Sequence, residues 1–105
     1  MSWTRVCRLD AIEPHTGVCA LVAGAQVAVF RVADRVYAID NLDPFSGAAV
    51  LSRGIVGDRD GVVKVASPMF KQSFCLETGQ CLDDGEVCVR RYRARVVDGI
   101  VEVRP

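Results

Sequence analysis

Apolar and polar positions alternate with a period of two along most of this chain. The segments RVCRL, VCALV, QVAVFRV, RVYAID, GVVKVA, QSFCL, EVCVR, YRARVV and IVEVR are short and rich in Val, Ile, Phe and Tyr, and Gly, Asp, Pro and Asn separate them. A period of two puts successive side chains on opposite faces of an extended chain, so the pattern predicts many short strands in an all-β sandwich or small barrel. The turns agree. Asp98-Gly99 lies between YRARVV and IVEVR, where an Asp-Gly pair favours a type I′ hairpin. Ala33-Asp34-Arg35 is expected to join QVAVFRV to RVYAID, and Thr78-Gly79 to turn SFCLE back into QCLDD. No stretch keeps a helical period over ten residues. The best candidate is one turn at LDAIEP, with Asp10 as cap, Glu13 at the capping-box position and Pro14 limiting its length.

The longest stretch without a strong strand signal is NLDPFSGAAVLSRGIVGDRD, residues 41–60. A loop of that length in a compact β domain is often functional. It contains the first of two turn-rich segments, at about 41–47 and 66–72, each built around an Xaa-Pro step.

Composition narrows the possibilities. A chain of 105 residues fits one domain spanning 1–105, and thirteen basic residues balance thirteen acidic ones. Nothing global then attracts nucleic acid or an anionic membrane. No apolar run approaches the roughly 20 residues of a membrane span, and MSWTRVCRLD lacks a signal-peptide core. A cytoplasmic location with reduced thiols is expected. The five cysteines, Cys7, Cys19, Cys75, Cys81 and Cys88, are odd in number and irregular in spacing, which argues against a disulfide framework. Cys75 and Cys81 are the one pair placed to face each other across a hairpin.

Candidate chemistry is sparse. No two cysteines lie within four residues, and His15 is far from all but Cys7 and Cys19 in sequence, so the close pairs of soft ligands that zinc requires are missing. His15 reads as a lone surface histidine. Asp58/Asp60 and Asp83/Asp84 adjoin glycines and read as turn formers. GIVGDRDG has neither the Lys-Ser/Thr nor the helix of a phosphate loop. Arg91, Arg93 and Arg95 project from one face of a strand and Tyr92, Ala94 and Val96 from the other. The stripe is either a solvated outer face or a docking surface for an acidic partner.

Taken together, VYAIDNLDPFSGAAVLSRG and VASPMFKQSFCLETGQCL resemble the two cluster-binding loops of Rieske-type proteins, which hold a two-iron two-sulfur centre with Cys-Xaa-His in one loop and Cys-Xaa-Xaa-His in the other. The resemblance covers essentially the whole chain and implies a Rieske-like β-sandwich of short antiparallel strands. The ligand positions depart from the pattern. Asp43 and Phe45 stand at the first Cys and His, Ser67 and Phe70 at the second. Phenylalanine offers iron no donor, and sulfide-bridged iron favours thiolate and imidazole, so no metal, cofactor or catalytic residue is expected in this chain. Phe45, Met69 and Phe70 either fill the gap a cluster would leave or form an exposed apolar tip.

DPF and ASP at the ligand motifs, with TGVCALV and VVDGIVEVRP, are similar to the small-subunit family of assimilatory NAD(P)H-dependent nitrite reductases. That resemblance implies a cofactor-free accessory subunit of a cytoplasmic enzyme reducing nitrite to ammonium. Its partner would be a large subunit carrying FAD, sirohaem and an iron–sulfur cluster, with Phe45, Met69, Phe70, Arg91, Arg93 and Arg95 as candidate contacts. Two alternatives stand beside it: a Rieske-type ferredoxin with atypical ligands among Cys75, Cys81 and Cys88, and a stand-alone interaction module using the arginine stripe.

Overall fold

The computed structural model describes residues 2–105. Nine strands form along the chain: β1 Thr4–Arg8, β2 Thr16–Val22, β3 Ala25–Val32, β4 Arg35–Asp40, β5 Ile55–Arg59, β6 Val62–Ala66, β7 Ser73–Cys75, β8 Arg91–Val97 and β9 Ile100–Arg104. They build a six-stranded sheet in the order β1-β9-β8-β4-β3-β2 and a three-stranded sheet in the order β5-β6-β7, with every strand pair antiparallel.

Two cores follow from the alternation. Val27 and Val29 of β3 enter one buried cluster, and Ala28 and Phe30, the intervening residues, enter the other. Ala38 and Ile39 of β4 divide in the same way. β3 and β4 thus form a wall buried on both sides, which is why QVAVFRV reads as a near-continuous apolar run. All six strands of the large sheet contribute to the first cluster, so the sheet curls about its own interior. The second cluster joins Phe30 and Ile39 on the sheet's outer face to Leu51, Val65, Phe74, Leu76, Cys81 and Val89. The small sheet and the two Xaa-Pro loops sit over that second core.

Three tight hairpins place two successive residues at positive φ, the signature of the type I′ turn: Asp98-Gly99, as expected, and also Ala23-Gly24 and Asp60-Gly61. Several local expectations need correction. Residues 41–60 are not strandless: they hold a 3-10 turn at Leu51–Arg53 and β5. β5 escaped notice because exposed Gly57, Asp58 and Arg59 break its apolar signal, while pairing to β6 overrides propensity. Asp58 therefore lies in a strand, and only Asp60 in the turn. At Leu9–Ala11 a 3-10 turn forms, but Arg8 is the N-cap and makes no side-chain cap, while Asp10 pairs with Arg8 at 3.2 Å. EVCVR and QCLDD are irregular and contribute only isolated bridges, Gln80↔Cys88 and Phe74↔Cys81. Cys81 thus faces Phe74 across the Thr78-Gly79 turn, not Cys75, and both cysteines are buried free thiols.

Candidate functional site

The two Xaa-Pro loops have the same backbone. In the first, the N–H of Asp43 donates to Ala48 O at 2.8 Å, the N–H of Gly47 to Asp43 O at 2.8 Å, and the N–H of Phe45 to Asp43 Oδ1 at 2.9 Å. In the second, the N–H of Ser67 donates to Gln72 O at 2.9 Å, that of Lys71 to Ser67 O at 3.1 Å, and that of Met69 to Ser67 Oγ at 3.2 Å. Gly47 and Lys71, each four residues after the leading polar residue, both have φ near +70° (74° and 66°). Asp and Ser are suited to lead such loops, because a short side-chain oxygen can take the N–H two residues on and mimic a backbone turn. Proline between them presets φ and donates nothing that needs a partner.

The loops meet at those leading residues. Ser67 Oγ donates to Asp43 Oδ2 at 2.5 Å, with Asp43 fully buried and Ser67 1% exposed. The two residues standing where a Rieske pattern has its cysteines are therefore bonded to each other. Burial pushes the Asp43 carboxyl upward, but the donors from Ser67, Phe45 and Ser46 outweigh it and hold the group below its ordinary value. Asn41, also buried, anchors the loop's entry and exit: its Nδ2 donates to Ala49 O at 3.1 Å and its Oδ1 accepts the Ser52 N–H at 2.7 Å.

A second lowered carboxylate braces the far side of the second loop. Asp83 accepts the Ser73 N–H at 2.7 Å and the Arg59 guanidinium at 3.1 Å; the Ser73 N–H foremost, with Arg59, holds it low against the opposing effect of burial. A carboxyl lowered by folding stabilises the fold fully above its unfolded value of about 3.9, and that stabilisation disappears as pH falls through the lowered folded value. The urea midpoint is therefore expected to be flat from neutral pH down to about 5 and to fall below about 4. The Asp43→Asn variant should show a shallower acid limb; an unchanged limb would remove Asp43 from this role.

Both alternatives for the apolar residues are realised, one per loop. Phe45 turns inward and packs on buried Phe74, with ring centroids 6.2 Å apart. Met69 and Phe70 point outward, 50% and 58% exposed, beside exposed Pro44 and Pro68. The arginine stripe alternates over most of β8: Arg91, Arg93 and Arg95 are exposed, Tyr92 is buried and Ala94 half-buried, but Val96, expected opposite the arginines, is exposed at the strand's end. Arg95 is already engaged, with Glu102 at 2.7 Å and with its guanidinium 3.9 Å from the Trp3 ring centroid. Sequence reasoning missed the Asp43–Ser67 bond, Asn41 and Trp3. The equal spacing of DPFSG and SPMFK was the available signal for the first.

Residues 2–104 match the Rieske-like [2Fe-2S] domain family. Over 104 residues the sequence is 50% identical to the nitrite reductase (NADH) small subunit of Salmonella typhimurium, covering 97% of this chain and 96% of that one. The chain belongs to the small-subunit family of NAD(P)H nitrite reductases. A crystal structure assigned as an NADH-dependent nitrite reductase small subunit from Mycobacterium tuberculosis superposes with a TM-score of 0.94 at 52% identity, over 97% of this chain and 93% of that one. A 101-residue stretch of the nitrite reductase [NAD(P)H] large subunit of Klebsiella oxytoca is 46% identical to this chain, covering 96% of it and 11% of the large subunit.

In this small-subunit fold the donor set does not fit a two-iron two-sulfur cluster. Phe45 and Phe70 carry no lone pair, and Asp43 and Ser67 direct their oxygens at each other and at loop N–H groups. Among the described residues no three His, Cys, Asp or Glu side chains gather in a metal-holding group. Cys75 and Cys81 are buried and Cys88 exposed, and His15 sits exposed at a left-handed φ of 66° with its backbone N–H on Arg31 O.

Proposed function

We propose that this small subunit works without a redox centre and supplies a binding surface to a large subunit that reduces nitrite to ammonium. The family resemblance implies FAD, sirohaem and an iron–sulfur cluster in that partner. The reading places both chains in the cytoplasm, and among the described residues no helix is long and apolar enough to cross a membrane.

The Asp43–Ser67 bond carries the proposal. It closes the two loops with oxygen atoms and ties together the loops that carry exposed Pro44, Pro68, Met69 and Phe70. An exposed Met and Phe held on ordered loops suit a docking contact, since methionine adapts its shape and aromatic side chains dominate interface energies. The Klebsiella oxytoca relationship supports the partnership: there, a matching segment is part of the large-subunit polypeptide itself.

The test is association of the purified chain with its large subunit under reducing conditions. Wild type is expected to bind, and Met69→Asp with Phe70→Asp to weaken binding roughly tenfold or more at all salt concentrations, as loss of an apolar anchor does. Failure of the wild-type chains to associate would overturn the proposal.

A further inference from the structure

The small sheet and its loops cover the outer face of the large sheet over β3 and β4, where Phe30 and Ile39 are buried, but they leave the outer face of β8-β9-β1 bare. Register identifies what that bare face displays. Arg93 lies opposite Arg104, Arg95 opposite Glu102, and Arg5 opposite Glu102. The residues between them, Ala94, Val101 and Val103, enter the inner core. Arg91, opposite Ile39, continues the row at the edge of the covered region. Trp3 lies on the same face, with Arg95 at 3.9 Å and Arg104 at 5.1 Å from its ring centroid. Six arginines thus share one surface, Arg8 opposite Ile100 among them; Glu102 is paired to Arg95 and Asp10 to Arg8, while Asp98 and Glu77 lie at the rim.

For a chain of zero net charge this is a local excess of positive charge, and it carries a cost. Like charges directly opposite on neighbouring strands destabilise a sheet, yet Arg93 and Arg104 are so placed, and among the described residues neither has an acidic partner. Arg104 Nε is buried without a hydrogen-bond partner. Trp3 holds Arg95 and Arg104 in place, so their guanidinium planes are ordered before any partner arrives. At the other end of the face, Val97 and Ile100 lie beside Arg5, Asp98 and Glu102 in a shallow hollow of mixed charge.

We infer that the bare outer face of β8-β9-β1 is a second docking surface, fitted to an acidic segment of the large subunit, with Arg93 and Arg104 as its charge-reading pair and Trp3 as its floor. This rests on the reading of the chain as a docking subunit, and it adds a charged contact carried by strands rather than by the two loops. A protein partner fits better than nucleic acid, because the chain as a whole is neutral and the patch is a few residues wide.

The experiment is a titration of the large subunit with wild type, Arg93→Glu and Arg91→Glu, each at about 50 and 300 mM salt. Arg93→Glu is expected to raise Kd about tenfold at low salt and to flatten the salt dependence, with a smaller effect from Arg91→Glu. The same Arg93→Glu change should leave the isolated chain's melting temperature unchanged or raise it by about 2–4 °C, because the new carboxylate faces Arg104. A merely structural arginine would show the reverse. Wild-type binding that survives both changes at both salt concentrations overturns this inference and leaves the docking function standing. Absence of wild-type binding overturns both. Equal affinity of the wild-type chain for a short DNA duplex would also overturn the choice of an acidic protein.

Discussion

Replacing Asp43 with alanine is expected to lower the unfolding free energy by roughly 3 kcal/mol, since the Ser67 hydroxyl and the Phe45 N–H would lose their acceptor inside the protein, at about 1–3 kcal/mol for each buried unsatisfied group. A domain with about 5–15 kcal/mol of stability does not absorb that easily. The urea midpoint should fall with little change in slope, because the surface exposed on unfolding is nearly the same. Ser67→Ala should cost less, about 1–2 kcal/mol, since Asp43 keeps its loop donors. The double variant should be less destabilised than the sum of the two, because each single change breaks the same bond. Additive losses would mean that the two loops are not coupled through these side chains.

Gly79→Ala is expected to be comparably damaging for a different reason. Gly79 has a φ of +81°, and a Cβ there would run into the carbonyl oxygen of Val89. That carbonyl belongs to a backbone held in place, since the Val89 N–H donates to Gly79 O at 2.8 Å and the Gly79 N–H to Cys75 O at 2.8 Å. No rotamer change relieves a clash between Cβ and backbone. The left-handed conformation itself costs an L-residue about 1–2 kcal/mol, and displacing the 87–89 segment brings the total to roughly 3 kcal/mol or more. Gly24 supplies the matched control: its φ is +82°, but a Cβ there meets nothing within 4 Å. Gly24→Ala should cost only the conformational part, about 1 kcal/mol. Chemical denaturation of the two variants side by side would separate strain from clash, and equal losses would refute the distinction.

The fold was legible where the alternation was strong. β3 and β4 are buried on both faces and read as apolar runs, while β8 shows its exposed arginines against buried Tyr92. β5 was hidden because its burial is slight and its identity depends on pairing with β6. EVCVR had strand composition but no continuous ladder, since Gln80 spends its side chain on Val87 O and Gly85 O and keeps the segment folded as a loop. At the site, the four altered ligand positions could be read in sequence, because residue type alone decides whether a side chain can donate to iron. The bond between Asp43 and Ser67 could not, since it spans 24 residues and depends on how the loops approach. Nor could composition tell an inward Phe45 from an outward Phe70. That difference arises because Phe74 offers the first a buried ring to pack against.

Rieske-type loops closed by hydrogen bonding and packing rather than by iron are the centre of this account. Its most direct test is an iron and acid-labile sulfide determination, with a visible spectrum, on the chain purified anaerobically and incubated with ferrous iron and sulfide. The account predicts no bound iron and no absorption above the protein band. Two irons per chain with a Rieske-type spectrum would contradict it.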